Sequence, residues 1–540
     1  MELNIVIGGE AGQGAYSVEL ELTETLSRLN VYFFATKNYM SRVRGGHNFH
    51  MIRIADHPVE ALSGGKWDMV VALDDETERR HLPNLREGGI HLTREMTLEI
   101  GVDAKEAFGN AAMANPVLVG VVLAVIGTPS EAMAAVAEPG HGAALQKGFE
   151  FAARWKIAGT FPIKALAGGH RKFDGNQALA LGAILGGCQF MAGYPMTPAT
   201  SILHYFAEAA PGFPIHFEQA EDEIAAINMA LGASYAGVRA MTATSGGGFA
   251  LMQEAVSLAG MTETPIVVAL AQRPGPATGL PTRTEQGDLD FVLHAGHGAF
   301  PRLIFAPGTI GEMIALTRKG FALADRYQIP VFVLTDQYFA DSVRICKEEI
   351  PLAVDRREAS LFDAGYRRYR FTEEGLSPLT YPGLSEALVQ LDSDEHDEEG
   401  KITEDRQMRI RQMEKRLGKL ALLKKEAVPP TWYGDRAAKA VALCWGSTRL
   451  IVKEAVERLA AEGVSVAALH FGQVWPLTEE MAAPYGLGEK KLIGVENNAG
   501  GPFAALVKKE LGLTVGSQIL KYDGDCFTVE ELVQRLRALC

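Results

Sequence analysis

The sequence is poor in residues that staple small folds or hold metals. Five cysteines occur in 540 residues, Cys188, Cys346, Cys444, Cys526 and Cys540, an odd number with no CxxC spacing. That excludes a disulfide framework and any zinc or iron-sulfur site encoded by spacing, so they read as reduced thiols. Basic surplus is missing too: 52 Lys and Arg face 66 Asp and Glu, a formal charge of −14, which argues against a broad nucleic-acid footprint. No uninterrupted apolar run reaches the length of about 18 residues that a membrane helix needs. No basic stretch leads into an apolar core with a small-residue cleavage site. The expectation is a cytoplasmic chain that contacts neither membrane nor nucleic acid.

What is present is glycine, 57 residues of it, in a chain that is 47% hydrophobic and 22% charged, the balance of an ordinary globular protein. The length suggests three or four domains of about 150 residues each. "NIVIGGEAGQGAYSVELELTETLSRL" reads as strand, glycine loop and helix, and "DMVVALDD" and "GGIHLT" as buried parallel strands. This α/β material fills 1–158, and 159–174 read as a linker. From 175 to 348, apolar helices alternate with "RAMTAT", "PIVVALA", "RLIFAP" and "PVFVLTD", the pattern of a parallel sheet wrapped by helices. Residues 349–434 break the rhythm and read as a charged surface connector with one helix after Thr403-Glu404-Asp405. A third α/β unit occupies 435–540.

Several turns carry groups suited to ligands. In "AGYPMTPATSILHYF", Thr197 before Pro198 reads as an N-cap with proline at the first helical position. A helix cap explains it, and a helix N-terminus also suits an anion. In "TATSGGGFALMQEA", Thr244, Ser245 and Gly246 join a strand to a helix through glycines that permit close backbone approach or merely tight packing. "AQRPGPATGLPTRTEQGDL" offers Arg273, Thr282 and Arg283 on a rigid loop, a donor set matched to carboxylate or phosphate, though solvated loop arginines are common. Glu218, Glu221, Asp222 and Glu223 stand where acidic residues are dipole partners by default. At the N-terminus, "GGEAGQG" has the order GxxGxG, not GxGxxG, so a phosphate-bearing ligand near Gly12, Gln13 and Gly14 is plausible and a nicotinamide fingerprint is not supported. Arg42 and Arg44 of "SRVRGGHN" can meet phosphate or solvate an edge. His396, in "SDEHDEEG", reads as a solvated histidine, and no metal ligand is assigned.

Taken together, these motifs resemble the 2-oxoacid:ferredoxin oxidoreductases, specifically chains in which gamma and alpha subunits are fused. "GYPMTPAT" is similar to the family's YPITPS/T signature, "EDEIAAINMALGASYAGVRAMTATSGGG" to its thiamine-site helix and turn, and "QRPGPATGLPTRTEQGDL" to its substrate loop. "SDEHDEEGKITED" resembles a further alpha-subunit signature. The resemblance covers nearly the whole chain. It implies a gamma-like domain, a thiamine-pyrimidine-binding domain and a transketolase C-terminal-like domain. It implies that Thr197, Arg273 and Thr282 bind the 2-oxoacid carboxylate and that Glu221 hydrogen-bonds the aminopyrimidine of thiamine diphosphate. Tyr194, Pro195, Thr244, Ser245 and Gly246 would lie near that cofactor. Gly12, Gln13, Gly14, Arg42 and Arg44 become candidates for coenzyme A. Met196 and Gly247 depart from the family's usual Ile and Pro.

A GDG element followed about 25 to 30 residues later by Asn, which gives Mg²⁺ its oxygen ligands, has no counterpart in order; "YDGDCF" lies near the end. The resemblance therefore implies a separate beta subunit holding the diphosphate, Mg²⁺ and a [4Fe-4S] cluster, a dimer of alpha-beta heterodimers, and ferredoxin as acceptor. The implied reaction is CoA-linked oxidative decarboxylation of a 2-oxoacid. Fused chains with the EHDE segment look most like the 2-oxoglutarate branch, whose second carboxylate needs an added cation, Arg283 or His47. Pyruvate or a branched-chain 2-oxoacid is the alternative. Two other classes stay open: a regulatory chain that binds CoA or nucleotide without catalysis, and a non-redox thiamine enzyme.

Overall fold

The computed structural model describes residues 1–40, 46–164, 171–357 and 359–540. Arg42 and Arg44, the candidate phosphate cations, lie outside the described residues. The chain divides into two units. The first comprises Met1–Asp174, Asp341–Glu348 and Thr528–Gln534, and the second comprises Gly175–Ala340, Glu349–Phe527 and Arg535–Cys540.

The first unit is built on a seven-stranded sheet in the order Leu85–Leu92, Trp67–Ala72, Glu2–Glu10, His47–Ala55, Tyr32–Asn38, Val343–Cys346, Arg171–Phe173. Glu2–Glu10 runs parallel to Trp67–Ala72, as its apolar run suggests, but antiparallel to His47–Ala55, so the sheet is mixed. Val343–Cys346, which continues the second domain by sequence pattern, pairs with strands of this first sheet on both sides. Its four residues alternate in burial and lie between Tyr32–Asn38 and Arg171–Phe173, so this strand is interior to the sheet. His47 is buried, with Nε2 3.1 Å from Nε2 of His81. Burial pushes the His47 pKa down.

The second unit carries two sheets. One has the order Gln473–Trp475, Leu303–Phe305, Pro330–Asp336, Ile266–Gln272, Arg239–Thr244, Cys188–Gly193, His216–Gln219. All of its neighbours are parallel except the first pair. The other has the order Thr431–Tyr433, Val466–Phe471, Ala440–Trp445, Lys491–Glu496, Ser517–Leu520, again parallel except at its first pair. One continuous core joins the two, running from Ile227, Phe249 and Phe332 to Trp445, Phe471 and Phe503.

The stretch expected as a solvated surface connector is packed instead. Helix Arg406–Lys425 buries Gln412, Lys415, Arg416, Lys419 and Leu423, and His396, expected in solvent, is fully buried against the Tyr369 ring. Charge periodicity concealed this because the partners are charges too. Glu263 receives Lys415 at 2.8 Å and Lys419 at 2.5 Å, and Glu395 receives Arg416 at 2.7 Å. Burial alone would raise the Glu263 pKa, but the two ammoniums and Arg368 outweigh it and the net direction is down. Burial pushes Lys419 down to about 8. Glu263→Gln leaves two buried ammoniums without their anion, so a loss of about 3–5 kcal/mol of stability is expected, read as a fall in denaturation midpoint against Glu386→Gln at an exposed position as a control.

Candidate functional site

The parallel strands of the large second-unit sheet end on one edge, and each sequence motif leaves from it: Tyr194 after Gly193, Glu221 after Gln219, Ser245 after Thr244, Arg273 after Gln272. Cys188–Gly193 lies between His216–Gln219 and Arg239–Thr244, so the chain winds to one side of it and then crosses to the other. A crevice at such a reversal, outside the carboxyl ends of the strands, is where ligands bind in open α/β sheets.

Thr197 does not cap a helix. It lies in a turn with a cis Thr197–Pro198 peptide, and helix Thr200–Ala209 begins after Ala199. Within that turn the Thr197 carbonyl instead accepts from Arg273 Nη1 at 2.7 Å. On the other side, Met196 Sδ is 4.0 Å from Thr244 Oγ1. The three motifs therefore converge on one point. Tyr194 and Pro195 are exposed, Thr244 and Ser245 are fully buried, and Arg273, Thr282 and Arg283 are half-buried.

The acidic stretch resolves into different roles. Asp222 is the N-cap of helix Glu223–Tyr235, accepting from Ala225 N–H at 2.7 Å. Glu221, before the cap, is exposed. Glu223 is 3% exposed, its Oε1 is buried with no hydrogen-bond partner, and it faces the glycine turn. A Cβ built on Gly248 would lie 2.2 Å from Thr244 Oγ1 and 2.4 Å from Glu223 Oε1. Any side chain at 248 would displace the carboxylate. The signal for Glu223 was in the sequence: Glu223, Ala226, Ile227, Ala230, Leu231 and Ser234 form the buried stripe of the helix, and Glu221 precedes it. Ser245 Oγ is also buried and unpartnered. A buried acceptor with nothing to accept from costs free energy unless a ligand completes it. This donor and acceptor set therefore fits a polar heteroaromatic group such as an aminopyrimidine.

Asp288 was not singled out by sequence. Its carboxylate lies against Gly246, where a Cβ would be 2.7 Å from Oδ1, and its Oδ2 is buried without a partner. Burial, then Glu285, raise its pKa from 3.8 to about 6, against the pull of Arg273. The folded value lies above the unfolded one, so the ionised carboxylate opposes folding above about pH 6, and that penalty vanishes as pH falls to 3.8. Asp288→Asn is expected to raise stability by about 2–3 kcal/mol at pH 7.5, with the gain shrinking in acid, as measured by thermal midpoints across that range.

The loop carrying Arg273 is shaped by Gly279, at φ 53°. A Cβ there would sit 1.8 Å from the Pro274 carbonyl, so only glycine fits. Residues 275–280 of the loop are exposed and its two ends are held. In the first unit, Gly12 and Gly14 take φ 95° and 98°. Gly14 ends the turn at the start of helix Ala15–Arg28 with no side-chain cap, and Gln13 Oε1 accepts from Glu10 N–H at 2.8 Å. The groups this loop presents are thus backbone N–H groups at a helix start, which suit an anionic ligand. Among the described residues no helix is long and apolar enough to cross a membrane.

The family described as "Pyruvate flavodoxin/ferredoxin oxidoreductase, thiamine diP-bdg" matches residues 181–416, and "Pyruvate ferredoxin/flavodoxin oxidoreductase" matches residues 4–145. The chain is 30% identical over 616 aligned positions to a 2-oxoacid:ferredoxin oxidoreductase subunit alpha from Sulfolobus sp, covering 99% of this chain and 96% of that protein. It is 35% identical to the 2-oxoglutarate synthase subunit KorA of Methanocaldococcus jannaschii over 61% of this chain and 88% of that protein. Among solved structures, 2-oxoglutarate:ferredoxin oxidoreductase from Magnetococcus marinus, with 2-oxoglutarate, coenzyme A and succinyl-CoA bound, matches with a TM-score of 0.88 at 29% identity, covering 99% of each chain.

Proposed function

Because the chain belongs to the 2-oxoacid:ferredoxin oxidoreductases as an alpha subunit, we propose that it supplies the pyrimidine side of a thiamine diphosphate site and the clamp for the substrate carboxylate. The proposed reaction converts 2-oxoglutarate and CoA to succinyl-CoA and CO₂ and passes two electrons to ferredoxin. The observation that carries this reading is Glu223: a buried carboxylate with an unpartnered oxygen, held open by Gly248.

Glu223 takes the role expected of Glu221, which is exposed and on the wrong side of the Asp222 cap. Thiamine diphosphate, when bound, accepts the electrons of the breaking carbon–carboxylate bond. This chain's residues orient and hold. Glu223 anchors the pyrimidine and holds or releases a proton at its ring nitrogen, and Ser245 Oγ and the Gly246–Gly248 backbone line the same turn. Arg273, half-desolvated and fixed by the Thr197 carbonyl, presents its remaining N–H donors to the 2-oxoacid carboxylate, and Thr282 is assigned to the same carboxylate from the loop that carries both. We assign the diphosphate, Mg²⁺ and iron-sulfur cluster to a partner beta subunit, because no GDG…Asn element or cysteine spacing for them stands in this sequence. Exposed apolar side chains on the site's own elements, Tyr194, Ile224, Leu251 and Leu280, support a partner that covers them. Coenzyme A is assigned to the Gly12–Gly14 loop of the first unit.

For the substrate, the similarity to 2-oxoglutarate enzymes supports a dicarboxylate. A shorter 2-oxoacid is the second reading, favoured by Asp525, whose charge acts on Arg283 and so already offsets the candidate second cation. The deciding experiment is viologen reduction by the co-purified complex with CoA and either 2-oxoglutarate or pyruvate. A higher kcat/KM for 2-oxoglutarate supports the first reading, and a higher value for pyruvate supports the second.

A further inference from the structure

The segment from Arg273 to Asp288 has no regular structure, yet it carries Arg273, Thr282 and Arg283. Such a segment keeps its groups within catalytic tolerance only if it is tied down, since fixing each loop residue costs about 1–2 kcal/mol of conformational entropy. Its first end is tied within its own sheet: Gln272 Nε2 donates to the Thr335 carbonyl at 3.1 Å, and Gln272 Oε1 accepts from Asp288 N–H at 2.9 Å. Its second end is tied to the last α/β layer.

Gln286 is the centre of that tie. It is 1% exposed. Its N–H donates to the Asn497 carbonyl at 2.7 Å, and Asn497 N–H returns a bond to Gln286 Oε1 at 2.9 Å. Gln286 Nε2 donates to the Trp445 carbonyl at 2.8 Å, and the Gln286 carbonyl accepts from Asn498 Nδ2 at 3.0 Å. Asn498 is in turn fixed by Glu496, whose buried carboxylate accepts from Asn498 Nδ2, Trp445 Nε1, Phe503 N–H and Ala504 N–H at 3.0–3.1 Å. Two residues upstream, Thr284 N–H donates to the Gly524 carbonyl at 3.0 Å, while Asn497 Nδ2 holds the Lys521 carbonyl at 2.9 Å at the start of that same loop. Every polar group of Gln286 is satisfied by the last layer. A fully satisfied buried network specifies one geometry where an apolar contact would allow sliding.

We propose that the last α/β layer sets the affinity for the 2-oxoacid without touching it, the Gln286–Asn497–Asn498–Glu496 clasp being the positioning element for the substrate loop. The clasped residue lies three positions from Arg283 and two from Asp288, so a shift there moves both directly. Displacement by about 1 Å of a positioning group can cost about 10²-fold. The proposal rests on the substrate reading given above, and the test separates the two.

The test uses the assembled complex carrying Gln286→Met, which keeps the volume and loses both side-chain bonds, Asn498→Ala on the opposite side of the clasp, and the double variant. Each single variant is expected to raise KM for the 2-oxoacid about tenfold or more, with kcat reduced less and KM for CoA within about twofold. The double variant is expected to match the worse single one, because both break the same tie. A merely structural role lowers the active fraction, hence kcat and melting temperature, and leaves KM unchanged. That result, or additive effects in the double variant, overturns the proposal. If the wild-type complex itself turns over no 2-oxoacid, the functional reading fails instead.

Discussion

Glu223→Gln is expected to lower 2-oxoacid-dependent viologen reduction by about 10³-fold, and Glu221→Gln to leave it within about threefold. The large effect follows from the role proposed for the carboxylate: a positioned group that exchanges a proton contributes about 10²–10⁴-fold. Its Oε1 is buried and unpartnered and faces Gly248. Gln keeps the volume and still packs on the Ala226–Ile227 stripe, so the fold is expected to survive and thermal midpoints of the two variants to agree within a few degrees. Glu221 lies outside the helix and in solvent, where its removal costs little. Steady-state rates of both variants in the same complex, normalised to bound thiamine diphosphate, check the contrast.

Arg273→Lys is expected to reduce kcat/KM for the 2-oxoacid by about 10²-fold, chiefly through KM, and Arg273→Ala by more. The guanidinium already gives one donor to the Thr197 carbonyl at 2.7 Å and keeps others for the ligand. Lysine cannot both tether to Thr197 and present a bidentate fork. Losing one partner of a desolvated charge pair costs about 2–5 kcal/mol, and part of that loss falls even on lysine. Initial-rate measurements over substrate concentration, with CoA saturating, separate this from a loss of cofactor, which would appear in kcat with KM unchanged.

The α/β architecture and the site's edge were legible because hydrophobic period and glycine turns are local signals. "TATSGGG" and "QRPGPATG" point to strand ends, and that is where they lie. That Thr197 does not cap a helix was not legible, since the cis peptide that follows it and the delayed helix start at Thr200 depend on the loop's packing. The register of the acidic stretch needed one further step, the buried stripe of helix Glu223–Tyr235, which sets Glu223 rather than Glu221 against the glycine turn. The charged segment around Arg406–Lys425 misled for a physical reason: Lys415 and Lys419 look solvated until Glu263, some 150 positions earlier in the chain, is brought against them. Gln286 and Asp288 carried no local signal, because their meaning depends on Asn497 and Gly246, which only folding brings near.

The central claim is that this chain completes a thiamine-dependent 2-oxoacid site only with a second chain. It is tested most directly by purifying the chain and an iron-sulfur-bearing beta subunit separately and measuring CoA-dependent viologen reduction with 2-oxoglutarate or pyruvate before and after mixing. Activity absent from either chain, present in the mixture, and lost when this chain carries Glu223→Gln is the expected result. Turnover by this chain alone, or a mixture whose activity is indifferent to Glu223→Gln, would contradict the account.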